Sequence, residues 1–182
     1  LVDSDTLFAR ANLDRPPYIE KGSDLIYTVR VLESMTMAEY SERKMAKAAE
    51  ARIKEEAEIE SYIATNNLDA TRNGEGPWVV VTDSTDRGEQ LEKGDKVKVH
   101  YKGYLLDGSV FDSSFDRGEP IAITLGAGQV IKGWDKGLVG LYEGDEVALI
   151  IPSDMAYGET GRPGIPPNSS LVFDLEIMEV EK

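Results

Sequence analysis

Lys96-Val97-Lys98-Val99-His100-Tyr101-Lys102-Gly103-Tyr104-Leu105 places Val97, Val99 and Tyr101 on one side of an extended chain and Lys96, Lys98 and Lys102 on the other. A period of two is the signature of a strand with one buried face. Runs of similar character surround it: Trp78 to Thr82, Ile121 to Leu125, Glu146 to Ile151 and Leu171 to Glu179. They are set apart by turns such as Glu92-Lys93-Gly94-Asp95 and Leu106-Asp107-Gly108. Five strands packed so closely in sequence predict an antiparallel sheet. One short helix fits among them, from about Lys132 to Val139, and it must cover a face of the sheet to close the core. The class is α+β.

Upstream of Trp78 the character changes. Asn66-Asn67 and Asn73-Gly74-Glu75-Gly76-Pro77 are turn formers that mark a domain boundary, so the β-rich domain is expected over residues 77–182. Before them, Thr36-Met37-Ala38-Glu39 reads as a capping box, and no Gly or Pro interrupts the chain from there to Asn66. One long helix over residues 36–66 is expected. Between Glu39 and Ser61 it carries seven acidic and five basic residues, and Met45, Ala49, Ile53, Ala57, Ile59, Tyr62 and Ile63 form a narrow apolar stripe. So few large apolar residues favour a solvated connecting helix over a dimerising one.

Residues 1–35 mix turn formers with a strand pattern at Leu25 to Leu32, and two segments align with the second domain. Leu1 to Phe8 matches Ile150 to Tyr157, and Gly22 to Leu32 matches Asn168 to Met178. Short strand-and-turn segments share composition by chance, but the favoured reading makes residues 1–35 the last third of a degenerate upstream copy. A strand from such a copy has unpaired edges, so residues 1–35 or the helix are expected surfaces for a dimer. The opening Leu1-Val2-Asp3-Ser4 has no initiator Met or leader, and a natural beginning is expected to precede it, with any signal peptide or anchor.

Acidic residues number 34 against 20 basic, a formal charge of −14. A surface this acidic repels phosphate backbones and anionic lipid, which excludes nucleic acid as a partner. Hydrophobic residues make up 41% of the chain, enough for a core, and no apolar run approaches the roughly 18–20 residues needed to cross a bilayer. With no cysteine and one histidine, thiol catalysis, thiolate metal sites and a histidine triad drop out. His100 sits within the alternating strand and is read as structural. Carboxylates at Asp107 and Asp112 lack calcium-loop spacing, and Gly126-Ala127-Gly128 lacks the companions of a phosphate loop. Neither a metal nor a cofactor is expected.

What remains is a set of aromatic and branched residues at turns and strand ends: Tyr101, Phe111, Val130, Ile131, Trp134, Tyr157, Ile165 and Phe173. Each alone reads as core. Together they describe an apolar, aromatic-lined pocket with Asp112 and tyrosine hydroxyls at its wall, a shape that suits a proline ring.

Six segments carry a further signal. Val99-His100-Tyr101-Lys102-Gly103, Gly108 to Ser114, Gln129 to Trp134, Ala156-Tyr157-Gly158, Gly164 to Asn168 and Leu171 to Asp174 resemble, in order and spacing, the successive motifs of FKBP-type peptidyl-prolyl isomerases. The resemblance covers about residues 77–182. It implies an antiparallel half-barrel wrapped on one short helix, with the site between helix and sheet. By motif position Trp134 is the pocket floor, and Tyr101, Phe111, Val130, Ile131 and Phe173 are walls. Tyr157 and the Ile131 N–H bind carbonyls, and Asp112 lies at the rim near Tyr101 and Arg117. Ile121 and Ile165 complete the binding set. Three departures bear on substrate preference and macrolide affinity: Ile121 stands for an aromatic, Gln129 for a common Glu, and the Arg162-Pro163-Gly164-Ile165 loop is one apolar residue short.

The resemblance implies isomerisation of X–Pro bonds in unfolded or partly folded polypeptide clients, with macrolide inhibitors of the family as further ligands. It also fits the absence of a reactive side chain, because rotation about an amide needs no nucleophile. The competing reading is a proline-binding module or holdase chaperone without turnover. Long helices joined to such domains point to the bacterial cell envelope, though composition leaves the compartment open.

Overall fold

The computed structural model describes residues 2–26, 30, 33–72, 74–84 and 88–182. The chain divides into two compact units, Leu1–Met45 and Ala46–Lys182. The first holds β1 (Val2–Asp3), α1 (Ser4–Ala11), β2 (Asp24–Leu25) and the opening of α2 (Met37–Thr65). β1 and β2 pair antiparallel, Val2 opposite Leu25. Asp3 caps α1 by accepting the Thr6 N–H at 2.8 Å, and the helix ends at Asn12, in left-handed conformation at φ 51°. α1 was not expected from the sequence, and β2 ends at Leu25 where a strand to Leu32 is expected. Residues 27–29 and 31–32 of that expected strand lie outside the described residues.

α2 begins on a capping box. Thr36 Oγ1 accepts the Glu39 N–H at 3.2 Å, and Glu39 Oε2 accepts the Thr36 N–H at 2.7 Å. It ends in a left-handed residue, Asn67, after which the Leu68 N–H donates to the Ile63 carbonyl at 3.0 Å.

The second unit continues through β3 (Thr71–Arg72), β4 (Trp78–Asp83), β5 (Lys96–Leu105), β6 (Val110–Ser113), α3 (Ser114–Arg117), β7 (Ile121–Thr124), α4 (Lys132–Gly137), β8 (Glu146–Ile151) and β9 (Leu171–Glu181). Between β8 and β9 lie two 3-10 turns, Ser153–Met155 and Gly158–Thr160. The strands form one antiparallel sheet in the order β3-β4-β8-β9-β5-β6, with β7 also on β5. One edge of β5 is shared by β7 near Val99 and by β6 near Gly103, and its other edge pairs with β9 along its whole length. The five expected strands are present. The short β3 and β6 and the single-turn α3 are additions.

Alternation sends Val97, Val99 and Tyr101 of β5, Val147, Leu149 and Ile151 of β8, and Leu171, Phe173, Leu175 and Ile177 of β9 to one face. There they form the main core with Trp134 and Leu138. α4 sits so close to the sheet that a Cβ on Gly133 would lie 2.3 Å from Ile151, and glycine at that position permits the approach. The opposite face carries Trp78, Ile150 and Val172, register partners across β4, β8 and β9. They pack against Ile59 of α2, which is 0% exposed.

This corrects the expectation of a solvated connecting helix. Met45 and Ile53 are exposed at 71% and 70%, but further along α2 Ile59 is buried against the sheet with Tyr62 and Ile63 partly buried beside it. The cause is legible in Val147-Ala148-Leu149-Ile150-Ile151, a continuous apolar run of the kind found in strands buried on both faces. The junction is tied by Arg72, whose guanidinium lies 3.8 Å over the Trp78 ring and pairs with Glu56 at 3.1 Å.

Candidate active site

Trp134, in the first turn of α4, is 3% exposed and stands edge-on to two other rings. Its centroid is 5.2 Å from Tyr101 and 5.2 Å from Phe173, at interplanar angles of 79° and 90°. Phe111 meets Phe173 at 5.6 Å and 81°. Edge-to-face packing sets positive ring edges against negative faces, at about 0.5–1.5 kcal/mol per pair beyond burial. The box needs a glycine on β5: a Cβ at Gly103 would come within 2.7 Å of Phe111 and 2.8 Å of Phe173. Ile165 is buried in the same cluster, and Ile121, Val130, Ile131 and Tyr157 pack against it partly exposed. The structure therefore sets every apolar candidate in or against the main core. The Trp134 indole N–H, also buried, has no hydrogen-bond partner among the described residues.

Three elements deliver the polar rim. Tyr101 on β5 donates its hydroxyl hydrogen to Asp112 of β6 at 2.6 Å and accepts from Arg117 of α3 at 2.8 Å, while Arg117 also pairs with Asp112. Burial, then the Asp112 hydrogen bond, pushes the Tyr101 pKa above its usual 10.0. For Asp112, burial opposes ionisation, but the hydrogen bonds from Tyr101 and Arg117 outweigh it and lower its pKa from the usual 3.8. Arg117 is raised in turn by its own hydrogen bonds, first to Tyr101 and then to Asp112. The Tyr101 hydroxyl thus donates to one neighbour and accepts from another. The Tyr157 hydroxyl is arranged differently: it accepts from Arg162 at 2.8 Å under a guanidinium 5.0 Å from its ring centroid. Among the described residues its own proton has no acceptor.

Several supporting residues escape reading from sequence. Ser114 Oγ accepts the Tyr101 N–H at 2.7 Å and lies 2.9 Å from His100 Nδ1, while the His100 ring stacks on Phe115 at 4.7 Å. His100 thus braces the strand. Asp135 accepts the N–H groups of Gly126 and Gly128 at 2.8 and 3.2 Å, holding the turn that leads to Val130 and Ile131. Gln129, where the resemblance expects a Glu, supplies an acceptor to the Thr124 N–H at 2.7 Å. The partners in each case lie within about 16 residues, but side-chain-to-backbone bonds of this kind have no sequence pattern of their own. Among the described residues no cluster of His, Cys, Asp or Glu could hold a metal ion, and no helix is long and apolar enough to cross a membrane.

Phe111, Val130, Ile131 and Tyr157 thus lie partly exposed against the buried rings of Tyr101, Trp134 and Phe173, and Asp112 and Arg117 hold the Tyr101 hydroxyl. The family of FKBP-type peptidyl-prolyl cis-trans isomerases matches residues 87–178, and the chain belongs to that enzyme family. Peptidyl-prolyl cis-trans isomerase FPR2 of Saccharomyces cerevisiae is 60% identical over 90 residues, 48% of this chain and 67% of that protein. The FK506-binding protein of Neisseria meningitidis serogroup C is 52% identical over 94 residues, 51% of this chain and 86% of that protein. The FKBP-type isomerase FkpA of Escherichia coli is 48% identical over 95 residues, but the match spans 34% of its length. The crystal structure of AtFKBP13 superposes with a TM-score of 0.58 at 34% identity, covering 62% of this chain and 99% of that one.

Proposed function

We propose that the pocket takes the proline ring of an unfolded or partly folded client and accelerates rotation about the X–Pro bond without covalent chemistry. The observation that carries this reading is the box of Tyr101, Phe111, Trp134 and Phe173, whose edge-on rings line an apolar site beside a hydroxyl donor. The barrier to rotation is roughly 18–20 kcal/mol because amide resonance must be broken. A planar amide is charge-separated and the twisted one is less so, so an apolar wall favours the twisted form over the ground state. Tyr157 Oη–H and the Ile131 N–H grip the flanking carbonyls, Val130, Ile121 and Ile165 hold the residue before proline, and the Asp112–Arg117 pair fixes the Tyr101 wall. Macrolides of the kind named in the family's FK506-binding members would compete for the same box.

We extend the proposal to the rest of the chain. Residues 1–35 are a degenerate copy of residues 150–178, a reading supported by geometry. The aligned residues Val2 and Leu25 pair as Ile151 and Leu171 do, and the aligned Ser4 and Ser153 are both buried. Residues 36–66 connect this copy to the isomerase domain of residues 77–182. A dimer through α2 or residues 1–35 would draw on the exposed Met37, Tyr40, Met45 and Ile53, and sedimentation of the full chain tests it. The long helix supports a place in the bacterial cell envelope, which cell fractionation tests.

Isomerisation of a proline peptide, measured beside suppression of aggregation by an unfolded client, separates the two functions. Catalysis at substoichiometric protein supports the proposal. Suppression at stoichiometric protein without any rate enhancement assigns the pocket to a holdase.

A further inference from the structure

Glu55 lies on the half of α2 that packs on the sheet, and its carboxylate reaches two loops that border the pocket. Oε1 accepts the Ser153 N–H at 2.6 Å and the Ser170 hydroxyl at 2.6 Å, and Oε2 accepts the Ser153 hydroxyl at 3.0 Å. Both serines are buried, at 6% and 7% exposure. Ser153 opens the 3-10 turn Ser153–Met155, whose N-cap residue, Pro152, has no side chain able to cap it. The orphan N–H at the start of that turn is therefore satisfied from another element. The turn leads through Ala156 to Tyr157, and Ser170 is followed at once by Leu171-Val172-Phe173. One carboxylate thus holds both ends of the segment that carries Tyr157, Arg162 and Ile165, and it holds the entry to the strand that carries Phe173.

We infer that Glu55 is a positioning residue for the isomerase site, acting through the Ser153–Tyr157 segment and making α2 a working part of the pocket. The inference rests on the proposed function above. Bonds to an ionised acceptor are short and directional, and three of them converging on one carboxylate restrain a turn that otherwise depends on loop contacts. The Tyr157 hydroxyl must meet a carbonyl on a rotating bond, so looseness in its turn reduces the fraction of molecules in the productive geometry.

The test compares Glu55→Ala, Glu55→Gln, Tyr157→Phe and the Glu55→Ala/Tyr157→Phe pair in the full chain. It reads kcat/KM on a proline peptide at a temperature where each variant is folded, together with amide exchange at Ser153. Glu55→Ala is expected to lose roughly 2–5-fold in kcat/KM, no more than Tyr157→Phe loses, and to speed Ser153 exchange. Glu55→Gln keeps one acceptor oxygen and should recover part of both. Because the loss runs mainly through Tyr157, Glu55→Ala should add little in the Tyr157→Phe background. An unchanged kcat/KM in Glu55→Ala, even with a lower melting temperature, overturns the inference, as does a fully multiplicative loss in the pair. A wild-type chain that fails to isomerise the peptide overturns the proposed function. Ser153 protection in that chain, read without any activity, shows which of the two claims the failure touches.

Discussion

The two faces of one sheet differ in how completely they are covered. On the back, α2 brings Ile59 against Trp78, Ile150 and Val172 and leaves Ile59 with no exposure at all. On the front, α4 runs for six residues, Lys132–Gly137, too few to span the sheet, and Phe111, Ile121, Val130, Ile131 and Tyr157 stay partly exposed around Trp134. The same alternation of strands supplies apolar side chains to both sides. The back is sealed, and the front keeps a partly exposed apolar rim, where the proposed site lies.

Replacing Trp134 with alanine strikes the open face where it is deepest, and it should have the largest effect. Loss of the buried indole should cost about 3–5 kcal/mol of stability, read by urea denaturation, together with nearly all isomerase activity at temperatures where the variant is folded. Ile59→Ala strikes the sealed face. It should cost about 2–5 kcal/mol of stability while kcat/KM per folded molecule stays near wild type, because the Glu55 contacts one turn away remain. A loss of activity as steep as that of Trp134→Ala would erase the distinction between the faces.

A smaller effect is expected from Tyr157→Phe, which removes the donor and leaves the ring. Stability should be unchanged and kcat/KM should fall by roughly 2–10-fold, the worth of one neutral hydrogen bond. The smallest effect is expected from pH. Asp112 has a folded pKa below its usual 3.8, so its pairing with Arg117 and Tyr101 is complete above that value and is lost as pH falls through the lowered pKa. Tyr101, raised above 10.0, contributes below that value and loses its contribution as pH rises through the higher pKa. A profile of kcat/KM should therefore be flat from about pH 5 to 9. A titration inside that window would contradict the assignment of Asp112, Arg117 and Tyr101 as the ionisable groups at the site.

Legibility in the sequence followed the range of the interactions. Period-two runs announced β5 and β9, a continuous apolar run announced β8, and the six motifs named the aromatic residues that the fold brings together. The capping box at Thr36 and Glu39 was equally local, and it is present. The docking of α2 was missed because its helical period carries a single fully buried large residue, Ile59, and the demand for cover is written 91 residues away at Ile150. Glu55 and its serines are separated by 98 and 115 residues, so no window of sequence contains both partners. α3 and β6 are four residues each, below the length at which periodicity can speak. At Tyr157 the sequence supplied the hydroxyl, but its freedom to donate emerged from the bond it accepts from Arg162.

The central claim, that the uncovered face is where proline turns over, is tested most directly by exchange spectroscopy of an X–Pro peptide with a catalytic amount of the full chain, reading intermolecular nuclear Overhauser contacts in the same sample. Faster cis–trans exchange together with contacts from the proline ring to the Trp134 indole is the predicted result. Exchange at the uncatalysed rate, or faster exchange with contacts to Ile59 and the α2 face instead, would contradict the account.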